Sequence, residues 1–252
     1  MTRKSHVARP SLGFTIGKLI GASLTAAAFA APAQAGVLTF DGGYGAAYGS
    51  GDSYSEGGYR LDFVSPHEDS DGSLVGANID GSDPSWCASM ACPTGNSGAY
   101  YGAFNDSVIF ITSESNNPFR LLSFDASFIG QSNALSSYLD TVGLIEIRGL
   151  RTDGTIVSED FWLNGPGSGG FSFANYQASS LFTGAFTEML MIGYACQDDG
   201  VCRAYQTNAA QFGLDNLSLA DALAEVPEPA SGLLLGLGLL GMVAGARRRN
   251  AA

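Results

Sequence analysis

The chain has 252 residues, 45% of them hydrophobic, with 24 acidic and 12 basic side chains. Seven of the basic residues but only one of the acidic residues lie in residues 1–35 and 226–252, so residues 36–225 carry a formal charge near −18. Nucleic-acid affinity comes largely from Lys and Arg, so this charge excludes nucleic-acid binding as the main function. The same segment has no lysine and one histidine, His67, which removes Schiff-base chemistry and most general bases.

Residues 1–35 have the features of a secretory signal peptide. Scattered positive charges precede an apolar stretch at 19–31, and Ala33-Gln34-Ala35 follows. Small residues at Ala33 and Ala35 form the pattern that signal peptidase cleaves. Maturation is therefore predicted to begin at Gly36; a buried N-terminal helix is the alternative.

The C-terminal residues 226–252 combine three features in a fixed order. Pro227-Glu228-Pro229 is followed by the almost wholly apolar residues 230–246 and then by Arg247, Arg248 and Arg249. A helix of that length spans about 25 Å, barely enough to cross a bilayer. The arginines are expected to stay cytoplasmic, which places the preceding domain outside.

This tail resembles the PEP-CTERM sorting signal of Gram-negative bacteria. The resemblance implies that exosortase, a membrane protease-transpeptidase, recognises Pro227-Glu228-Pro229 and removes the tail. The implied route is export, transient insertion of a C-terminal transmembrane helix in the inner membrane, and delivery to the cell surface or extracellular matrix. The alternative is a permanent single-span anchor.

Residues 36–225 are predicted to form one all-β domain, a single β-sandwich. Their 26 glycines, without repeat or period, suit a fold with many turns. The clearest hairpin signal is the alternating run 144–151, followed by Thr152-Asp153-Gly154 and the run 155–157. Further strands are predicted at 37–40, 59–63, 107–112, 119–129, 171–176, 188–195 and 210–219.

The last of these strands changes phase. Phe212 and Leu214 lie on one alternation and Leu217 and Leu219 on the other, which predicts a β-bulge at Asp215-Asn216. The segment from Gln211-Phe212 to Asp215 resembles the closing strand of galactose-binding-like jelly rolls and a Gln-Phe-x-x-Asp signature of PEP-CTERM proteins. The resemblance implies a jelly roll.

The four cysteines form two local pairs, Cys87 with Cys92 and Cys196 with Cys202. An even number in an exported chain favours disulfides. Three connectivities are open; local bridges are favoured because each pair is already close in the chain. The alternative of a zinc site has the wrong spacing for a Cys-x-x-Cys knuckle.

Acidic residues at two places in the sequence are candidate calcium ligands. The acidic segments 67–72 and 80–83 fit an EF-hand loop poorly and are expected to be solvated. The jelly-roll resemblance separately implies a structural calcium between the first and last strands, with Asp41 and Asp215 at the matching positions. Turn or edge carboxylates are the alternative there, and no other cofactor is expected.

Aromatic residues that could bind sugars are plentiful, but no enzyme motif is present. Phe161 and Trp162 are adjacent in a strand, so one faces the core and the other does not. We therefore expect a non-catalytic structural or adhesive protein of the biofilm or exopolysaccharide. The alternatives are a carbohydrate-binding module and a polysaccharide hydrolase. The aromatic candidates are Tyr44, Tyr48, Tyr54, Tyr59, Tyr100, Tyr101, Trp86 and Trp162.

Overall fold

The computed structural model describes residues 35–67, 73–87, 90–96, 98–205 and 208–222. Within these ranges four short 3-10 helices accompany the strands, at Asp41–Gly43, Pro84–Cys87, Ser132–Ser137 and Ser180–Thr183. The strands are β1 (Ala35–Leu38), β2 (Ala47–Gly49), β3 (Ser53–Glu56), β4 (Tyr59–Val64), β5 (Leu74–Asp80), β6 (Met90–Ala91), β7 (Ala99–Ala103), β8 (Val108–Ser113), β9 (Phe119–Phe128), β10 (Gly130–Gln131), β11 (Thr141–Arg151), β12 (Ile156–Asn164), β13 (Ala174–Gln177), β14 (Phe186–Cys196), β15 (Cys202–Arg203) and β16 (Phe212–Asp221).

Fourteen of the described strands form two layers, and β6 and β10 pair as a separate two-stranded sheet. Sheet A has the order β2-β5-β7-β16-β9-β13, with β1 beside the second half of β16. Sheet B has the order β3-β4-β8-β14-β11-β12, with β15 added to the end of β14. All these strand pairs are antiparallel, and one pair, Phe119 with Phe186, joins the sheets edge to edge. The chain passes repeatedly between the sheets, which makes an all-β sandwich of jelly-roll type.

The core lies between the two sheets and is rich in aromatic rings. Phe63 of sheet B stacks on Tyr101 of sheet A with ring centroids 4.4 Å apart. Phe124 of sheet A meets Phe161 of sheet B edge to face at 4.9 Å. Alternation along each strand selects these residues, because every second side chain of a strand faces the same way.

The outer faces of the two sheets differ. A second apolar cluster, containing Ile79, Tyr100 and Ile129, lies on sheet A outside the main core, where Met90 and Phe173 pack against it. On sheet B the outward positions of β12 are open: Ile156 is 69% exposed and Trp162 is 54% exposed. An accessible sheet face is therefore available on sheet B.

The predicted hairpin and bulge are both present. β11 and β12 pair from Thr141 to Leu150, and Gly154 takes a positive φ of 83° in the turn between them. In β16 the register to β9 shifts between Asp215 and Ser218, and Asn216 has a φ of 47°. The strand predicted at 171–176 is shorter than expected, since β13 begins at Ala174.

Candidate functional site

Trp162 lies on the exposed side of β12, and its strand position explains why. Phe161 and Leu163 are buried in the core, so the intervening indole points to the outer face of sheet B. In the register of the sheet, Leu144 lies between Trp162 and Tyr194. The Tyr176 hydroxyl donates to the Trp162 carbonyl over 2.9 Å and ties the main chain of β12 to β13 of sheet A.

An ion pair lies two residues along the same face. Arg148 Nε and Nη2 each donate to a different oxygen of Glu146 over 2.8 Å. The Tyr194 hydroxyl donates to Glu146 Oε2 over 2.6 Å. The Arg148 hydrogen bonds are the largest cause of a lowered pKa at Glu146, and the Tyr194 bond also lowers it. Glu146 is therefore an oriented carboxylate at neutral pH.

A third aromatic residue, Tyr205, completes the surface. It is 38% exposed, and burial is the main reason that its pKa is raised. The charge of Arg148 lowers the pKa of this hydroxyl and the charge of Glu146 raises it. We call Trp162, Tyr194, Tyr205, Glu146 and Arg148 the Trp162 face. It combines flat apolar rings with directional polar groups.

Most other aromatic candidates serve packing. Tyr48, Tyr59, Tyr100 and Tyr101 are buried, whereas Tyr44 is exposed. The Trp86 side chain lies outside the described set. The signal for Glu146 and Arg148 was present in the sequence, because they alternate with Ile145 and Ile147, which are buried.

The structure places Asp215 in the bulge of β16 as a buried carboxyl, 5% exposed. Asn96 and Asn216 donate to Asp215 Oδ2 over 2.9 and 3.1 Å, whereas Asp215 Oδ1 is buried without a partner among the described residues. Burial above all, with the charges of Asp125 and Asp41, raises the pKa of Asp215 to about 7, although the hydrogen bonds with Asn216 and Asn96 lower it.

Asp41 lies in the same region, since Asn96, which donates to Asp215, also donates to the carbonyl of Ala99. Asp41 Oδ1 accepts from the Ala99 N–H over 2.9 Å, and a Cβ on Gly98 would lie 2.8 Å from that oxygen. Within the described ranges no group of three or more His, Cys, Asp or Glu residues has a metal-binding arrangement. The oxygen-only donors and the unpartnered Asp215 Oδ1 nevertheless match the ligand preference of a hard cation.

Asp80 and Asp83, from the other acidic segment, accept local hydrogen bonds. Asp80 Oδ1 accepts from Ser82 and Asp83 Oδ1 from the Ser85 N–H, as in Asx turns. Residues 68–72 lie outside the described ranges.

Both disulfides are local. Cys87 joins Cys92 in the segment between β5 and β7, and Cys196 joins Cys202 across β14 and β15. The second bridge lies two residues from Tyr194. Since all four cysteines are bonded, the zinc alternative is removed.

The predicted processing segments fall mostly outside the described ranges: Ala33 before them, and Pro227 to Arg249 after them. Among the described residues no helix is long and apolar enough to cross a membrane. Ala35 is described and opens β1.

The fold and site define an all-β sandwich with one exposed aromatic sheet face. Residues 225–249 match the family of the PEP-CTERM protein-sorting motif. The chain therefore carries an exosortase sorting signal and is an exported protein sorted through the membrane. No curated protein gives a significant match to the chain.

Solved structures give distant similarity. TmCBM61, solved in complex with beta-1,4-galactotriose, has 8% identity and a TM-score of 0.31; the match covers 64% of this chain and 86% of that one. The CBM22-1-CBM22-2 tandem domain of Paenibacillus barcinonensis Xyn10C has 8% identity and a TM-score of 0.32; the match covers 80% of this chain and half of that one. An agarase, AgWH50C, has 11% identity and a TM-score of 0.26; the match covers 60% of this chain and a quarter of that one. These scores are too low to transfer a ligand.

Proposed function

We propose that the mature protein is a non-catalytic, adhesive protein of the cell surface or extracellular matrix of a Gram-negative bacterium, and that it holds polysaccharide on the Trp162 face. The single observation that carries this proposal is the exposed Trp162 indole on an open sheet face. When a ligand covers a large exposed aromatic ring, the removal of that apolar surface from water contributes favourable binding free energy.

The neighbouring groups support a sugar as the ligand. A pyranose ring presents apolar C–H faces, which suit the Trp162 ring, and hydroxyls around its edge. The Glu146 carboxylate can accept from such hydroxyls, and the Arg148 guanidinium can donate to them. The ion pair holds both groups in place before binding, which lowers the entropy cost of association.

The charge of the domain narrows the class of polysaccharide. Residues 36–225 are strongly acidic, and so they repel a polyuronate or sulfated chain at low salt. A neutral or amine-bearing polysaccharide is the expected partner.

The ionised state of Glu146 argues against this residue as the general acid of a glycosidase. Asp160 lies directly opposite Glu146 in the β11–β12 register, so two carboxylates are close on this face. A glycosidase needs one of them protonated as a general acid. The Arg148 and Tyr194 hydrogen bonds lower the pKa of Glu146, which leaves it ionised at neutral pH.

The decisive experiment is affinity electrophoresis of the exported domain in gels that contain neutral or acidic polysaccharides. The wild type should be retarded by a neutral polysaccharide, and Trp162→Ala should weaken the affinity at least tenfold, about 1.4 kcal/mol. Ile156→Ala is the matched control, since Ile156 is exposed on the same face of the same strand. Equal retardation of all three proteins, or none, would refute the proposal. Release of reducing ends that stops in Glu146→Gln would instead establish a hydrolase.

We also propose that Asp41 and Asp215 hold a structural calcium ion. The support is the buried, unpartnered Asp215 Oδ1 and the raised pKa of this carboxyl, because a nearby cation would favour its ionised form. When bound, the ion would supply charge compensation between the start of the domain and its last strand.

A further inference from the structure

A cavity of about 580 Å³ opens at one end of the sandwich. It lies where β9 ends and β16 begins, and it includes Phe128, Gln211, Val142 and Ala195. Its volume is within the range of small-molecule binding sites, roughly 300–1,000 Å³. The Trp162 face lies on the outer side of sheet B, and none of its residues is among the described lining residues of the cavity.

The lining of the cavity is uncharged. Aromatic rings of Phe104, Phe128 and Tyr138 form part of the wall. No Asp, Glu, Lys, Arg or His is among the described lining residues, although the domain is strongly acidic. The polar lining side chains are mainly amides, from Asn105, Gln131, Gln197, Asn208 and Gln211.

In three of these amides, one atom of the amide group already makes a hydrogen bond within the protein. The Asn105 amide nitrogen donates to the Leu74 carbonyl over 2.8 Å, and the Gln211 amide nitrogen donates to the Asn208 carbonyl over 3.1 Å. Both bonds orient the amide group and leave its oxygen, together with the second N–H, for a ligand. The Gln197 Oε1 accepts from Arg203 Nη1 over 2.8 Å, which leaves the Gln197 NH₂ as a donor.

Tyr138 adds a group with both functions. Its hydroxyl accepts a hydrogen bond from the Gln131 N–H over 2.8 Å. The hydroxyl hydrogen remains on the oxygen and can be donated. The cavity therefore offers fixed acceptors and fixed donors beside aromatic walls.

We propose that this cavity binds the neutral, hydroxyl-rich end of an oligosaccharide. A hydroxyl both donates and accepts, as the mixed amide groups require. An anionic ligand would find no cation in the lining, and an ammonium would find no carboxylate. A purely apolar ligand would bury amides without partners, which costs about 1–3 kcal/mol for each group.

The position of the cavity in the domain is consistent with a ligand that comes from outside the cell. Gln211 lies at the start of β16, and Asp221 ends the strand close to the sorting tail. Ten strand residues at about 3.3 Å each separate the two by about 30 Å. The cavity therefore lies at the end of the domain away from the tail.

Isothermal titration calorimetry with three trisaccharides tests the proposal: cellotriose, β-1,4-galactotriose and trigalacturonate. The wild type should bind at least one neutral trisaccharide, and Ala209→Trp, which adds an indole to the lining, should weaken that binding at least tenfold. Ile156→Trp, an indole added at an exposed site on the other sheet, should not. If Ala209→Trp fails to fold, Gln131→Ala and Gln197→Ala together should give the same loss.

The outcomes distinguish binding in the cavity from binding on the Trp162 face. The two proposals share the class of ligand and are otherwise independent. Trisaccharide binding that persists in Trp162→Ala and is lost in Ala209→Trp supports the cavity. Binding lost in Trp162→Ala and kept in Ala209→Trp assigns the sugar to the sheet face and overturns the cavity proposal. Binding of trigalacturonate as tight as that of the neutral sugars, or no binding of any trisaccharide, also overturns it.

Discussion

The two ends of the sandwich are built differently. At the tail end, where β1 begins and β16 finishes, Tyr59 packs edge to face on Phe119 at 5.5 Å and donates to Asp221 over 3.4 Å. The smaller groove there, about 350 Å³, includes the carboxylates of Glu114 and Asp221. The distal end has the larger, uncharged cavity and lies near Trp162. The described tail end is thus closely packed, whereas the distal end leaves rings and amides accessible.

Backbone contacts at the tail end leave little room for change. A Cβ on Gly36 would lie 2.5 Å from the Gly57 carbonyl oxygen and 2.9 Å from the Tyr59 ring. At the distal end, Trp162 and Gln131 are exposed. Mutations at the tail end should therefore change folding or sorting, and mutations at the distal end should change binding.

The largest expected effect is on sorting. Replacement of Pro227, Glu228 and Pro229 by alanine should leave the protein in the inner membrane with its tail attached, since exosortase would no longer recognise it. Cell fractionation and mass spectrometry of both termini measure this. Replacement of Leu223 by alanine, outside the matched residues 225–249, is the control. Release of the mutant with the wild-type C-terminus would show that the tripeptide is not the signal.

The second-largest expected effect is the loss of stability when packing at the tail end is removed. Phe119 is fully buried at the pair that joins the two sheets, so Phe119→Ala should lower the free energy of unfolding by about 3–5 kcal/mol. Trp162→Ala should change it by less than about 0.5 kcal/mol. Urea denaturation compares them. Similar losses in both variants would remove the distinction between the two ends.

Calcium should have an intermediate effect. A saturating excess of about 100-fold over Kd would stabilise the wild type by about 2.7 kcal/mol relative to EDTA. Asp215→Asn should lose this gain and be at least as stable as the wild type in EDTA, because the buried carboxylate is replaced by a neutral amide. Thermal unfolding with CaCl₂ or EDTA provides the measurement, with Asp160→Asn as the control. An equal calcium response in Asp215→Asn would exclude the site.

The smallest expected effect is on the stability of the fold at acidic pH. The pKa of Glu146 is lowered from its ordinary value of 4.5 in the folded protein, so its ionised form stabilises the fold above that pH and this contribution is lost as the pH falls through the lowered pKa. Glu146→Gln should remove about 1 kcal/mol or less at pH 7, and the loss should shrink as the pH falls below 4.5. Denaturation at several pH values, with Glu114→Gln at the tail end for comparison, measures the difference. A loss that does not change with pH would point to packing instead.

The fold was predictable where one face of a strand meets solvent. The β11–β12 hairpin follows from its alternation and from Asp153-Gly154, and the bulge follows from the phase change at Asp215-Asn216. β5 and β7 lacked such a signal, since both faces of each strand are buried. Their glycines allow that burial: a Cβ on Gly76 would clash with the Tyr101 ring.

The candidate site was predictable only in part. The sequence limited the exposed ring to Phe161 or Trp162, and burial of Leu163 in the core decides between them. The cavity could not be predicted, because its lining comes from separate segments that only the folded sheets bring together. The outward positions of Glu146 and Arg148 could have been predicted from the alternation of β11.

The pairing of β1 with β16 has a consequence for how the protein leaves the membrane. Ala35 lies opposite Ala220 and Gly36 opposite Leu219, and five residues separate Asp221 from Pro227. The predicted signal-peptidase bond between Ala35 and Gly36 thus lies beside the last residues of β16, so both processing events are expected at the same end of the described domain.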